Sequence, residues 1–150
     1  MLFLLCKRFF HDDHQALEAL NDGMLKVFKH IAGYAPEKGA FFNWMYTIVR
    51  NTAIDKCKHG GPAQPEELKD NTPCVIAGNP FHSLEWKDIY TLLDTLTPAT
   101  RVVCNLFYLE DFRIRDIAEC LQLSAGTVKW HLSEARKLLK PVLEKYHFYE

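Results

Sequence analysis

Between Arg113 and Leu139, apolar residues recur at helical offsets in two short runs separated by a brief break. Ile114, Ile117, Ala118 and Leu121 mark the first run. Val128, Leu132, Ala135 and Leu139 mark the second, spaced four, three and four apart, so one face of each segment is apolar. Two helices joined by so few residues must cross steeply, and the small Ala118 permits a close crossing. This is the pattern of a helix-turn-helix, whose second helix can enter a major groove. Ser124 is placed to cap that helix. Its outward side offers Thr127, Lys129, Trp130, Ser133, Arg136 and Lys137, side chains able to reach base edges and phosphates.

The same period organises the rest of the chain. Residues 1–10 form an apolar run with Lys7 and Arg8, read as a buried helix that nothing caps. Asp12 or Asp13 is the expected cap of a second helix over 14–32, in which Leu17, Leu20, Met24, Val27, Phe28 and Ile31 form the apolar face. Glu18, Asn21, Asp22, Lys26 and Lys29 lie on the other face, which is either solvated or a docking surface. Gly23 inside this helix suggests a close contact, and Gly33 is its expected stop. Residues 40–58 predict a third helix. It is rich in rings, with Phe42, Met45 and Val49 expected in the core and Asn43, Thr47, Arg50, Asn51 and Lys58 opposite. Four prolines and three glycines over 59–80 break all periodicity and predict a linker. Leu84, Ile89, Leu92, Leu93 and Leu96 outline the next helix. Thr97-Pro98 opens another that buries Val102, Val103, Leu106 and Phe107, and the last helix runs to about Tyr146. The prediction is an all-α chain of two small helical domains, 1–59 and 81–150, joined by a flexible linker at 60–80, the C-terminal one a helix-turn-helix domain.

Charge refines this picture. The net charge of -1 argues against a protein that coats nucleic acid unaided. The distribution is uneven: residues 59–100 hold two Lys/Arg against six Asp/Glu, while 38–58 hold four against one and 124–145 five against two. Two basic surfaces thus flank an acidic middle. In the third helix, Trp44 and Tyr46 beside Arg50 and Asn51 would suit unstacked single-stranded bases, with rings as stacking platforms and polar groups on the backbone.

Chemistry of other kinds finds little support. Five cysteines stand at wide spacings without a CxxC pair, as expected of free thiols in a reducing cytoplasm. The HDDH run at 11–14 resembles a metal cluster in composition only, and Cys57 with His59 would need ligands from elsewhere. No nucleophile with a base, no paired acid and base and no glycine-rich phosphate loop is visible, so neither enzyme activity nor a cofactor is expected. The apolar start MLFLLC is too short to span a bilayer.

Three blocks in this order resemble the extracytoplasmic-function group of bacterial sigma factors. LEALNDGMLKVF at 17–28 is similar to the helix that family uses on the clamp helices of RNA polymerase. FFNWMYTIVRNTAID at 41–55 is similar to the block that opens and reads the minus-ten element. The segment 92–139 is similar to the domain that reads the minus thirty-five element and touches the polymerase flap. The family motif matches at Trp44, Arg50, Asn51, Asp55, Arg101, Ile117, Ala118, Ser124, Gly126, Thr127, Val128, Lys129, Ala135 and Arg136. The chain departs from it at Gln122, where Gly is common, at Arg113, where a capping Ser is usual, and at Trp130-His131, where Ser-Arg is frequent. The family also has more residues before its first helix.

The resemblance implies a cytoplasmic factor that binds polymerase core and promoter DNA, with an anti-sigma factor as a further partner and no membrane insertion. Asn21, Asp22 and Lys26 would be polymerase-binding. Trp44, Tyr46, Arg50 and Asn51 would take the melted element, and Thr127, Lys129, Trp130, Ser133, Arg136 and Lys137 the upstream duplex. The alternatives are a stand-alone helix-turn-helix regulator, which would bind promoter duplex without polymerase, and a helical metal protein or enzyme.

Overall fold

The computed structural model describes residues 1–60 and 85–147. Every regular element among them is helical, and the chain divides into two compact units, Met1–Gly60 and Gly61–Glu150. No helix among the described residues is long and apolar enough to cross a membrane. The expected linker, and the helix start around Leu84, fall largely outside the described residues.

The first unit contains α1 (Leu2–Lys7), α2 (Asp13–His30) and α3 (Phe41–Gly60), with two 3-10 turns, Ile31–Gly33 and Pro36–Lys38, between the last two. Asp12 caps α2, its carboxylate accepting from the His14 backbone N–H at 3.1 Å. Gly33 does not stop α2 in a left-handed cap. The helix ends at His30 and runs into the 3-10 turn with Ile31 still right-handed. The left-handed glycine is Gly39, at φ 142°, one residue beyond the second turn.

The buried face of α2 is the main correction to the periodicity reading. Ala16, Ala19, Gly23 and Val27 point inward, while Leu17, Phe28 and Ile31 are exposed, Phe28 to 66 %. The cause lies at Gly23. A Cβ placed there would stand 3.0 Å from both Cα and Cγ2 of Val49 on α3. Small residues let α2 and α3 approach closely, and that packing outweighs the burial of larger side chains facing the other way. Val49, Ala53 and Ile54 of α3 and Leu5, Cys6 and Phe9 from the first segment complete this core. Phe42, expected in the core, is 40 % exposed, and Met45 is half-buried.

The second unit is built on α4 (Trp86–Asp94), α5 (Pro98–Tyr108), α6 (Ile114–Leu121) and α7 (Ala125–His147). Pro98 stands at the first turn of α5 after Thr97, as expected. Ile89, Leu92, Leu93 and Leu96 meet Val102, Val103 and Leu106 in the core, closed by Ile117, Val128, Leu132, Ala135 and Leu139. Each fully buried leucine contributes about 1.5–3 kcal/mol. α5 is buried on nearly every side and brings polar groups inside. Arg101 is 1 % exposed, its guanidinium paired with Asp94, which compensates a cation that would otherwise be costly to bury. Thr100 links to α7 through a 2.9 Å contact with His131 Nδ1, and the Thr97 hydroxyl donates to the Thr100 hydroxyl at 3.0 Å.

Cys6, Cys57, Cys104 and Cys120 are free thiols, and Cys74 lies outside the described residues. Burial pushes the Cys6 thiol up to about 11 and that of Cys104 up to about 12, which holds both in the unreactive protonated form.

Gly23 within α2 and Gly33 in the turn after it should respond oppositely to substitution. Gly23→Val forces apart the α2–α3 contact and should cost roughly 1–3 kcal/mol. Gly33→Ala, where an added Cβ meets nothing within 4 Å, should be neutral or slightly stabilising. Thermal melts followed by circular dichroism compare the two, and equal midpoints would refute the tight contact at position 23.

His131 generates a pH prediction. Burial lowers the pKa of its ring below the ordinary 6.5. As pH falls below that value the unfolded chain takes up this proton first, so stability declines from about pH 6.5 down to the lower folded value. Denaturant titrations across this range should show the decline, and His131→Gln should flatten it. An unchanged slope in the variant would assign the effect to other groups.

Candidate nucleic-acid interface

The helix-turn-helix is α6, the three residues Gln122–Ser124, and α7. Gln122 adopts the left-handed conformation, φ 56° and ψ 42°, where glycine would be at ease. Two backbone hydrogen bonds hold it there: Gln122 N–H donates to the Glu119 carbonyl at 3.3 Å and Leu123 N–H to that of Ala118 at 2.9 Å. Together they close α6 as a Schellman turn. Arg113 precedes α6 without a side-chain cap. Ser124 then caps α7, its Oγ accepting from the Thr127 N–H at 3.0 Å.

The inward face of α7 is the expected one, with Val128, Leu132, Ala135 and Leu139 all buried. Thr127 departs from expectation. It is 7 % exposed and its hydroxyl lies 3.0 Å from that of Ser124, so it belongs to the cap rather than to the outward surface. Lys129, Trp130, Ser133 and Arg136 are half-buried and Lys137 is exposed. Trp130 packs edge-on against His131, ring centroids 4.9 Å apart. Arg136 Nε donates to the Tyr108 hydroxyl at 2.9 Å, which ties the guanidinium to α5 and fixes its height above the helix. Lys137 lies 3.6 Å from Glu134, both in solvent reach, a pairing of little net strength.

On α3 the four residues expected at the melted strand fall into two settings. Trp44 belongs to a three-ring cluster with Tyr34 and Phe41, centroids 5.5 and 5.7 Å away, and Tyr34 meets Phe41 edge-on at 5.1 Å. The Tyr34 hydroxyl donates to the Gly39 carbonyl at 3.0 Å and so pins the loop that carries it. Tyr46 lies elsewhere: its hydroxyl accepts from Arg8 Nη2 at 2.8 Å and its ring sits 6.2 Å from Phe42. Arg50 reaches its neighbour Asn51, with Nε and Nη2 each 3.4 Å from Oδ1. The exposed rings Phe41 and Phe42 give both settings an accessible apolar face. Sequence reasoning passed over Tyr34 and Arg8. Tyr34 stands alone in a turn of glycine and proline, and Arg8 sits within an apolar run, which was the available sign that its charge is buried.

Asn21, Asp22 and Lys26 are all exposed on α2. Asp22 and Lys26 are not simply solvated. Lys56 of α3 lies 2.9 Å from Asp22 and 3.3 Å from Glu18, and Lys26 lies 4.0 Å from Asp55. A cleft of about 310 Å³ opens beside these pairs, lined in part by Leu25, Lys29, Thr52 and His59. The acidic residues of the HDDH run have structural partners. Asp12 caps α2, Asp13 pairs with Lys7 at 2.6 Å, and no cluster able to hold a metal ion occurs among the described residues.

These two units correspond to known patterns. The sigma-70 region 2 profile matches residues 1–61 and the sigma-70 region 4 profile residues 86–139. The ECF RNA polymerase sigma factor SigE of Mycolicibacterium smegmatis is 26 % identical over 97 % of this chain, which spans only 58 % of that relative. SigK of Mycolicibacterium vanbaalenii is 23 % identical, with 93 % and 74 % of the two chains covered, and SigW of Bacillus subtilis 24 %, with 95 % and 82 %. Among solved structures, the sigma factor RpoE of Bartonella quintana, in complex with the anti-sigma factor NepR, superposes with a TM-score of 0.54 at 19 % identity, covering 95 % of this chain and 89 % of that one. With both sigma-70 regions present in order and such relatives along nearly its whole length, the chain belongs to the extracytoplasmic-function group of the sigma-70 family.

Proposed function

We propose that this chain is an alternative sigma factor: it binds RNA polymerase core in the cytoplasm and directs promoter recognition, DNA opening and transcription initiation. The observation that carries this reading is a capped helix-turn-helix that follows, on the same chain, a helix faced with exposed rings and polar groups. Neither surface is strongly basic, and a net charge of -1 leaves little general attraction to DNA. Tethering both to polymerase supplies the missing affinity as effective concentration.

Each surface has a distinct task. Lys129, Trp130, Ser133, Arg136 and Lys137 read the upstream duplex from α7. Thr127 supports them by shaping the helix start. Trp44 with Tyr34 and Phe41 offers a stacking wall for an unpaired base, while Tyr46, Arg50 and Asn51 hold the strand beside it. Asn21, Asp22 and Lys26 dock on the polymerase clamp helices, with the exposed Leu17, Leu25 and Phe28 as apolar neighbours. An anti-sigma factor, as in the Bartonella quintana complex, would compete for such surfaces.

Transcription with purified polymerase core and a random-promoter library tests the proposal. Initiation should require both core and this chain. Tight, selective duplex binding by the chain alone, with no core-dependent initiation, would favour the regulator instead.

Two substitutions refine the assignment. Asp22→Arg should weaken core binding by about 1–2 kcal/mol, roughly tenfold, at unchanged helical content. Anisotropy titration reads this, and unchanged affinity would remove Asp22 from the docking surface. Lys129→Ala should weaken upstream recognition in holoenzyme by about 1–3 kcal/mol if Lys129 reads a base, and less selectively, with a shallower salt slope, if it holds a phosphate. Equal upstream protection by variant and parent would exclude both roles.

A further inference from the structure

The two lysines of the basic stretch on α3 are paired with carboxylates in the folded chain. Lys56 sits between two carboxylates of α2, 2.9 Å from Asp22 Oδ2 and 3.3 Å from Glu18 Oε1. Lys58 lies 3.4 Å from Asp55 within α3 itself. The guanidinium of Arg50 leans on Asn51. Thus both lysines of α3 are ion-paired, and the shortest pairing crosses from α3 to α2.

That crossing joins two surfaces with different tasks. Glu18 and Asp22 lie on the helix read as the polymerase-docking element, and Lys56 lies on the helix read as the strand-holding element. One ammonium cannot serve two carboxylates and a DNA phosphate at full strength. From this competition we infer that Lys56 is a phosphate-contacting residue masked in the free chain by Glu18 and Asp22, and released when a partner engages those carboxylates. The inference rests on the proposed sigma-factor reading and deepens it by naming a regulatory contact.

The physics suits an exchange. All three side chains retain solvent contact, with 26 % of Lys56, 58 % of Glu18 and 50 % of Asp22 exposed. Ion pairs in such positions contribute little net stability, so a competing cation on a partner can displace Lys56 without unfolding the unit. The ammonium is charged in both settings: in the free chain the hydrogen bond to Asp22 raises its pKa above the ordinary lysine value, and a lysine released onto a phosphate is protonated at physiological pH as well. Beside it, the cleft lined by Thr52, Lys29 and His59 leaves room for the flexible side chain to swing. Coupling of this kind is reciprocal: a phosphate that captures Lys56 frees the two carboxylates for the partner. Docking and strand capture then assist one another through a single lysine.

The test uses the free, full chain without polymerase and a fluorescently labelled single-stranded oligonucleotide. Four proteins are compared by anisotropy: the parent, Glu18→Gln/Asp22→Asn, Lys56→Gln and the triple substitution. Unmasking one phosphate contact should tighten binding of the double variant about fivefold at 0.1 M salt, and steepen its log–log salt slope by roughly 0.7. Adding Lys56→Gln should return both to the parent level. Equal binding of double variant and parent would overturn the inference. So would a gain that survives in the triple variant, because lost negative charge alone would then explain it. Because no polymerase enters this readout, its failure is distinct from failure of core-dependent initiation.

Discussion

Much of the N-terminal unit follows from how closely α2 can lie on α3. At Gly23 the backbone of one helix meets Val49 of the other with no room for a side chain. A contact that close needs small residues, and Ala16 and Ala19 continue the same inward face. The helix therefore turns its larger apolar residues out, which creates an exposed apolar surface on a helix that also carries Asp22 and Lys26. The short separation also brings the polar flanks of the two helices within ion-pair reach. Fold and surface chemistry are in this sense one decision: moving α3 outward would bury Leu17 or Phe28 differently and separate Lys56 from its carboxylates.

The C-terminal unit is held by another means. α5 threads the middle of the packing and carries Thr100, Arg101 and Asn105 inside with the apolar residues. Arg101 and Asp94 fasten α5 to α4, and Thr100 and His131 fasten it to α7. Tyr108 reaches α7 again through Arg136. Hydrophobic burial supplies the larger share of stability, but it does not by itself choose a rotation for α7. Directional bonds at His131 and Arg136 do, and the outward side of α7 inherits its orientation from them.

The helices of both units were legible in periodicity because their apolar residues recur at threes and fours, and α7 met that expectation residue by residue at Val128, Leu132, Ala135 and Leu139. Periodicity was less able to orient α2, which carries two candidate inward stripes. Hydrophobicity favours Leu17, Leu20, Met24 and Phe28, whereas packing distance favours Ala16, Ala19 and Gly23, and distance is a property of the pair of helices rather than of either one. Polar residues hid their roles for a similar reason. Thr127 looks like a groove reader until its hydroxyl is seen against Ser124, and Tyr46 looks free until Arg8 is seen 38 positions away in sequence at its hydroxyl. The turn at Gln122, by contrast, could be anticipated as left-handed from where the family usually places glycine.

That glutamine carries a consequence for how the protein adapts to its DNA. Glycine in a left-handed turn can drift over a wide range of backbone angles, including the mirror region, and lets the helices on either side hinge. A residue with a Cβ is confined to one small basin at about 1 kcal/mol of cost. The price of Gln122 is thus paid in strain and returned as stiffness: α6 and α7 meet at an angle with little tolerance. A reader so held follows variations in groove geometry poorly. Its discrimination then depends on the shape of the duplex as well as on the edges of the bases.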